Sequence, residues 1–186
     1  MAQQLNGKRI AFMVANVGVE HSELAKPWAA VEAAGGTPVL VAPEKGPVEC
    51  VHAGPGAEEF DAELTTSDIH VQDFDGLVLP GGVANPDKLR MDSAAVAFTR
   101  EFAAAGRPIA AICHGPWTLV EADVVRGKTL TSWPSLRTDI RNAGGEWRDV
   151  EVFTCDKHGY RLVTSRKPDD LDAFDEATVA AFAGSS

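Results

Sequence analysis

A cysteine followed by a histidine stands where a short apolar run of the sequence ends. The run Ile109–Ile112 carries no charge and predicts a buried strand, which Cys113-His114-Gly115 breaks. Gly115 permits a tight turn, and Pro116 suits the first turn of a helix. A thiol at such a break can be a nucleophile, because the free N–H groups of a helix start favour the thiolate. The alternative is an inert core thiol, since free cysteines are among the most buried residues.

Two further segments carry groups that suit thiol chemistry. Glu20 and Glu23 follow the first apolar run, and a carboxyl buried beside a thiol keeps its proton and can donate a hydrogen bond to the thiolate. The alternative is a pair of acids that stabilise a helix start. Gly81 and Gly82 follow the apolar residues 77–79, and their N–H groups are candidate donors to an oxyanion. The alternative for them is a plain turn.

The other histidines, cysteines and acids give weaker signals. His114 is either an acid–base partner of the thiol or a histidine satisfied by polar neighbours, and Asp87 suits a helix start. Cys50 and Cys155 carry no motif and are predicted to be structural. No paired spacing relates the remaining histidines, so no metal site is predicted; these are His21, His52, His70 and His158.

Strand-like and helix-like segments alternate along the chain. Strands are predicted at 9–15, 38–42, 77–79, 109–112 and 129–132, with a hairpin around 156–159. Helices are predicted at 23–34, 85–105 in two pieces, 116–125, 135–143 and from 168. Residues 43–75 are irregular, with room for short edge strands. This order favours a mostly parallel sheet covered by helices on both faces. The loops 16–23, 81–87 and 113–115 should then converge at the carboxyl edge of the sheet.

Composition narrows the classes of protein and of partner. A chain of 186 residues predicts one domain over residues 1–186, with a core of about 8–183. A net charge of −10 disfavours nucleic acid and anionic membranes as partners, and no apolar run reaches the length of a membrane span. Three cysteines without a paired spacing favour a reducing, cytoplasmic location.

Several motifs in order along the chain resemble the ThiJ/PfpI superfamily, and the Cys-His-Gly-Pro form resembles its PfpI-type intracellular protease and general stress protein branch. The resemblance runs from about Lys8 to Phe182. Its matching pieces are Glu20-His21-Ser22-Glu23-Leu24, Leu77-Val78-Leu79-Pro80-Gly81-Gly82, Ala111-Ile112-Cys113-His114-Gly115-Pro116, Thr131-Ser132-Trp133-Pro134-Ser135-Leu136, Asn142-Ala143-Gly144 and the run 162–171.

The resemblance implies a fold, an assembly and site residues. The implied fold is α/β, a flavodoxin-like three-layer α/β/α sandwich with a mostly parallel central sheet and a small antiparallel hairpin. The implied assembly is a homodimer or a higher homo-oligomer. Cys113 is implied as the reactive thiol with His114 beside it, and the E-x-x-E-L-x-x-P spacing gives Glu23 as the carboxyl at the thiol. In protease-like members an acid after the Gly-Gly loop reaches the histidine of a neighbouring subunit, and Asp87 stands in that place.

Three functions follow as expectations. The first is a stress-response cysteine hydrolase without a cofactor, acting on glycated or carbonyl-modified groups, whose substrates are small carbonyl compounds or modified proteins and peptides. The second is a PfpI-type intracellular cysteine peptidase, and the third is a non-enzymatic redox sensor or chaperone-like stress protein. The fold is shared with class I glutamine amidotransferases, but the chain lacks their later His-x-Glu segment, so ammonia transfer is disfavoured.

Overall fold

A computed structural model describes residues 3–184 of the chain, so residues 1, 2, 185 and 186 of the predicted domain lie outside the described residues. The strands are β1 (Arg9–Met13), β2 (Val17–Glu20), β3 (Thr37–Ala42), β4 (Gly46–Val51), β5 (Phe60–Ala62), β6 (Leu64–Thr65), β7 (Gly76–Leu79), β8 (Ile109–Ile112), β9 (Thr129–Leu130), β10 (Glu146–Trp147), β11 (Val152–Cys155) and β12 (Leu162–Ser165). The helices are α1 (His21–Ala33), α2 (Ala84–Leu89), α3 (Ser93–Ala104), α4 (Pro116–Glu121), α5 (Arg137–Asn142) and α6 (Leu171–Ala183). Short 3-10 turns occupy Val71–Asp73, Pro134–Leu136 and Pro168–Asp170.

The central sheet has seven strands in the order β11-β12-β8-β7-β1-β3-β6. All its neighbouring strands run parallel except β11 and β12, which form an antiparallel hairpin. This arrangement is that of a flavodoxin-like α/β sandwich, and it confirms the predicted mostly parallel sheet with a small hairpin. Two small sheets lie beside it, one of β2, β4 and β5 and the other of β9 and β10.

Helices cover both faces of the central sheet, and the alternating side chains of β1 show this. Ile10 and Phe12 belong to an apolar cluster with residues of α1 and α6, whereas Ala11 and Met13 belong to another with residues of α3, α4 and α5. Successive residues of a strand point to opposite faces, so unbroken apolar runs are expected where both faces are buried. The sheet is thereby fixed as a rigid support for the loops at its carboxyl edge.

Two segments differ from their predicted structures. The predicted loop 16–23 contains β2 and the first turn of α1, because β2 pairs with β4 in a small side sheet. The helix predicted over 116–125 ends at Glu121, since Asp123 adopts a φ of 56°, which a helix does not accommodate. The two-piece helix predicted over 85–105 is confirmed, with its break at Arg90–Asp92 capped by the Asp92 side chain.

Among residues 3–184, no helix combines the length and the apolar character needed to cross a bilayer.

Candidate active site

A cleft of about 490 Å³ opens at the carboxyl edge of the central sheet. The loops after β1, β7 and β8 all contribute to its wall, as expected for neighbouring parallel strands. The predicted site residues that line it are Cys113, His114, Glu20, Glu23 and Gly82. The convergence argued from the order of the elements therefore brings the thiol, two carboxyls and a backbone donor to one place.

Cys113 occupies a strained turn directly after β8. Its φ is 60°, the left-handed region that residues other than glycine seldom adopt and that costs about 1–3 kcal/mol. Its N–H donates to the Ser165 carbonyl at 3.1 Å, and its own carbonyl accepts from the Trp133 N–H at 2.9 Å. A Cβ at Gly115 would lie 2.3 Å from the Leu79 carbonyl oxygen, so only glycine fits the next-but-one position. The thiol is held rigidly at the floor of the cleft, with Cys113 7% exposed.

His114 contacts the thiol through one ring nitrogen and the Ser135 hydroxyl through the other. Its Nδ1 lies 3.2 Å from the Cys113 Sγ, and its Nε2 lies 3.4 Å from the Ser135 Oγ. The ring stacks on Trp133 at 5.9 Å and meets the edge of Trp117 at 5.2 Å. Burial lowers the pKa of His114, so the neutral imidazole predominates at pH 7.

Glu23 is a fully buried carboxyl beside the thiol. Its Oε2 accepts the Gly81 N–H at 2.9 Å, while its Oε1 has no hydrogen-bond partner. Burial, and then the charge of Glu20, raise the pKa of Glu23 to about 8. Near neutral pH this side chain is therefore a carboxylic acid able to donate a hydrogen bond. A Cβ at Gly81 would lie 2.4 Å from Oε2 and 2.7 Å from the Cys113 Cβ, so only glycine fits there.

Gly81 and Gly82, expected to act together as oxyanion donors, have different roles. The Gly81 N–H is engaged by Glu23, so it is not available to a substrate. The Gly82 N–H faces Glu23 and Cys113 and favours the charged form of each. Gly82 has a φ of 82°, and a Cβ there would lie 2.3 Å from the Gly18 carbonyl oxygen. The backbone of the cleft floor thus offers Gly82 as the donor to negative charge.

The ionisations of the Cys113 thiol and the Glu23 carboxyl are coupled. Burial raises the pKa of the Cys113 thiol, and an ionised Glu23 raises it further. The start of α4 was expected to lower the pKa of this thiol. Burial outweighs that effect, because α4 has only six residues and the site is desolvated. When Glu23 keeps its proton, its repulsion of the thiolate disappears and its O–H can donate to sulfur. The two groups therefore titrate as a pair, and a single negative charge is the favoured ionised state.

Glu20 pairs with a histidine that sequence reasoning did not assign to the site. Its Oε2 lies 2.6 Å from the His52 Nδ1, and its Oε1 accepts from the Ser22 hydroxyl at 3.3 Å. The parallel pairing of β2 with β4 sets Glu20 opposite Val51, and His52 follows Val51 directly. No local pattern marks His52, because the contact depends on the pairing of β2, predicted as loop, with β4, which lies in a segment predicted as irregular with room for short edge strands.

Asp87 lies outside the cleft of its own chain, whereas Asn85, to which no role was assigned from the sequence, has a positioning contact beside it. Asp87 is exposed on α2 and does not line the cleft. Asn85 is fully buried, accepts the Ala15 N–H at 2.7 Å and donates to the carbonyls of Pro80 at 3.0 Å and Gly81 at 2.9 Å. It ties the glycine loop to the end of β1 and so positions Gly81 against Glu23. An asparagine after a glycine pair was a signal that could have been read, since Asn often bridges backbone groups in turns.

The sequence model of the DJ-1/PfpI family matches residues 8–181. The chain belongs to this family. The resemblance to the ThiJ/PfpI superfamily is therefore confirmed over nearly the whole chain. Within residues 3–184, no three His, Cys, Asp or Glu side chains group as ligands of one metal ion.

Several curated relatives cover most of the chain. General stress protein 18 of Bacillus subtilis is 38% identical over 94% of this chain and 97% of its own. Protein/nucleic acid deglycase 2 of Escherichia coli is 40% identical over 90% of this chain and 93% of its own. The putative cysteine protease YraA of Bacillus subtilis is 37% identical over 92% of this chain and 96% of its own. Among solved structures, Drosophila melanogaster DJ-1beta matches with a TM-score of 0.81 and 27% identity over 95% of this chain and 91% of its own.

Proposed function

We propose that this protein is a stress-response cysteine hydrolase that acts on glycated or carbonyl-modified groups. The observation that carries the proposal is the Cys113 thiol on the floor of a cleft beside the buried carboxyl of Glu23. The names of its relatives, a general stress protein and a deglycase, support the same chemistry. A cleft of about 490 Å³ is of the size that small-molecule sites take.

The proposed mechanism uses the groups on the floor of the cleft. The Cys113 Sγ adds to the carbonyl carbon of the bound adduct, or displaces the amine from its hemithioaminal carbon, to give a hemithioacetal. Neutral His114 takes the proton that the thiol gives up, and Glu23, itself protonated near neutral pH, donates a hydrogen bond to the sulfur. The Gly82 N–H donates to the oxygen on which negative charge develops. His114, neutral and 3.2 Å from the sulfur through Nδ1, assists as acid or base. The C1 proton of the hemithioacetal moves to C2 through an enediol, so C1 is oxidised and C2 reduced and a thioester forms without an external oxidant. Water then releases the hydroxy acid from the enzyme thioester.

Turnover of methylglyoxal to lactate tests the proposal directly. Cys113→Ala should reduce turnover to the background rate, because no other thiol lines the cleft within the described residues. Cys50→Ala is the matched control, since Cys50 lies half-buried on β4 and does not line the cleft. Full turnover by Cys113→Ala would contradict the proposal.

A peptidase of the PfpI type is the second candidate, because a relative bears the name of a putative cysteine protease. This function needs an acid from a neighbouring subunit to reach His114, and Asp87 is exposed and free to do so only in an assembly. We propose a homodimer or a higher homo-oligomer as that assembly. For a peptidase, we expect light scattering to show an assembly larger than a dimer and that assembly to cleave casein. Asp87→Ala should abolish the cleavage. A dimer without cleavage would contradict it.

A further inference from the structure

Two imidazoles line the same cleft, and they differ in what surrounds them. His114 is buried, and both of its ring nitrogens are engaged, Nδ1 by the Cys113 Sγ and Nε2 by the Ser135 Oγ. Its ring is held between Trp133 and Trp117. His114 is therefore placed to serve the sulfur and has no nitrogen left for a second reactant.

His52 has the opposite environment. Its side chain is 80% exposed at the cleft, and its Nδ1 lies 2.6 Å from the Glu20 Oε2. Within residues 3–184 its Nε2 has no hydrogen-bond partner. A carboxylate that accepts the Nδ1–H fixes the tautomer in which Nε2 is the base, and it stabilises the imidazolium that forms on protonation.

His52 also has a backbone conformation that is unusual for a residue other than glycine. Its φ is 56°, and among residues 3–184 only three other non-glycine residues have a positive φ: Cys113, Asp123 and His158. Two of these four, His52 and Cys113, line the same cleft. Left-handed non-glycine residues cost free energy and concentrate at functional sites, which makes the coincidence informative.

We propose that His52, oriented by Glu20, is the general base of the hydrolytic half-reaction, in which water releases the acid from the Cys113 thioester. Nε2 of His52 takes one proton from a water molecule as the water oxygen bonds to the thioester carbon. The C–S bond then breaks, the acid leaves, and the proton on the imidazole returns to the Cys113 sulfur. Thioester and water thus give one carboxylic acid and one thiol, with no oxidant or reductant.

The other acid–base groups of the cleft are less suited to this step. Glu23 is fully buried and protonated below a pKa of about 8, so near neutral pH it donates a proton rather than accepts one. Glu20 is engaged by His52 and Ser22. His52 is therefore the group in the cleft with a free basic nitrogen and access to water. This inference rests on the proposed cysteine hydrolase, whose thioester it would resolve.

The experiment separates thioester formation from its hydrolysis, with 4-nitrophenyl acetate as the acyl donor. The variant is His52→Asn, because asparagine is the side chain that best tolerates the left-handed region. His158→Asn is the matched control, since His158 is also exposed with a positive φ of 57°, but lies in the β11–β12 hairpin. Burst rate, steady-state rate and the intact mass of acetylated protein are measured for each.

In His52→Asn we expect a burst of nitrophenolate at the wild-type rate, a steady-state rate lower by ~10²-fold, and acetyl-Cys113 that accumulates. Free imidazole should restore the steady-state rate, because the vacated position is open to solvent. His158→Asn should match the wild type in every measurement. A wild-type steady-state rate in His52→Asn, or a burst that falls as much as the steady state, would overturn the inference.

Two further variants keep the outcome interpretable. If circular dichroism shows that His52→Asn does not fold, Glu20→Gln is measured instead, because it removes the partner of the imidazole. Glu20→Gln should lower the ratio of the steady-state rate to the burst rate. An unchanged ratio would overturn the inference. Cys113→Ala should show no burst. A burst in Cys113→Ala would remove the proposed hydrolase itself, whereas a silent Cys113→Ala with an unaffected His52→Asn would remove only the role of His52.

Discussion

At the scale of single residues, the site depends on a glycine whose missing side chain leaves room for a carboxyl. The Gly81 N–H holds Glu23, and the Cys113 Cβ packs against the same glycine. The resulting contact places a protonated carboxyl beside sulfur in a desolvated pocket. Titratable groups whose pKa values are shifted by burial and by a charged partner cluster at functional sites.

Gly81→Ala tests that contact. The new methyl would lie 2.4 Å from Glu23 Oε2, so we expect Glu23 to be displaced and methylglyoxal turnover to fall by at least tenfold while the fold persists. Gly54→Ala is the matched control, because a Cβ there meets nothing within 4 Å. Equal activity in the two variants would contradict the role given to Gly81.

The role of Cys113 as a redox sensor stays a prediction at the same scale. Mild peroxide followed by mass analysis should oxidise Cys113 before Cys50 and Cys155 if its thiolate is the more available one. Cys155 is buried and accepts the Thr129 N–H at 3.4 Å, whereas Cys113 borders the cleft. Equal oxidation of the three thiols would remove the reason for a sensor.

At the scale of elements, the sequence predicted the central strands well and the side sheet poorly. Runs such as Ile109–Ile112 are apolar on both faces and need no distant partner to be recognised. β2 and β4 are recognisable only through each other, since Gly18 interrupts one and Pro47 the other. The thiol, the glycine pair and Glu23 were therefore found from the sequence or the resemblance, whereas His52 was not. The single-domain prediction over residues 1–186 stays a prediction.

The β11–β12 hairpin has a stabilising contact of its own. Lys128 is fully buried, and its ammonium donates to the carbonyls of Lys157 and Tyr160 in the hairpin turn. It also lies 3.6 Å from the centre of the Tyr160 ring. Burial lowers the pKa of Lys128, and the two carbonyl acceptors and the ring compensate the desolvated charge of the ammonium.

Lys128→Met should reduce the free energy of unfolding by about 1–3 kcal/mol, because the buried Tyr160 carbonyl loses its donor. Urea denaturation measures the loss as a lower midpoint with an unchanged slope. Lys157→Met, in the same turn but exposed, should leave the midpoint nearly unchanged. A Lys128→Met midpoint equal to that of the wild type would show that the ammonium does not stabilise the hairpin.

At the scale of the whole molecule, the site should appear in the dependence of stability on pH. Folding raises the pKa of Glu23 from 4.5 to about 8, so the folded state favours the protonated form. The stability this contributes is fully present below pH 4.5 and is lost as the pH rises through about 8. Asp175 acts in the same direction, because burial raises its pKa from 3.8 to about 7.

Glu23→Gln should flatten the decline in unfolding free energy between pH 5 and 8, since the amide does not ionise, with each unit of pKa shift worth about 1.4 kcal/mol. The wild type, Glu23→Gln and the exposed-site control Glu49→Gln are compared by urea denaturation across this range. The control should decline as the wild type does. A Glu23→Gln curve parallel to that of the wild type would contradict the buried, protonated carboxyl.

The central claim, that Glu23 and Cys113 share one negative charge and so form the reactive group, is tested most directly by the rate of iodoacetamide alkylation of Cys113 against pH. Because the two groups titrate as a pair, the wild-type profile should rise in two steps, and Glu23→Gln should reduce it to one. A single step at the free-thiol value of about 8.5, identical in both proteins, would contradict the account.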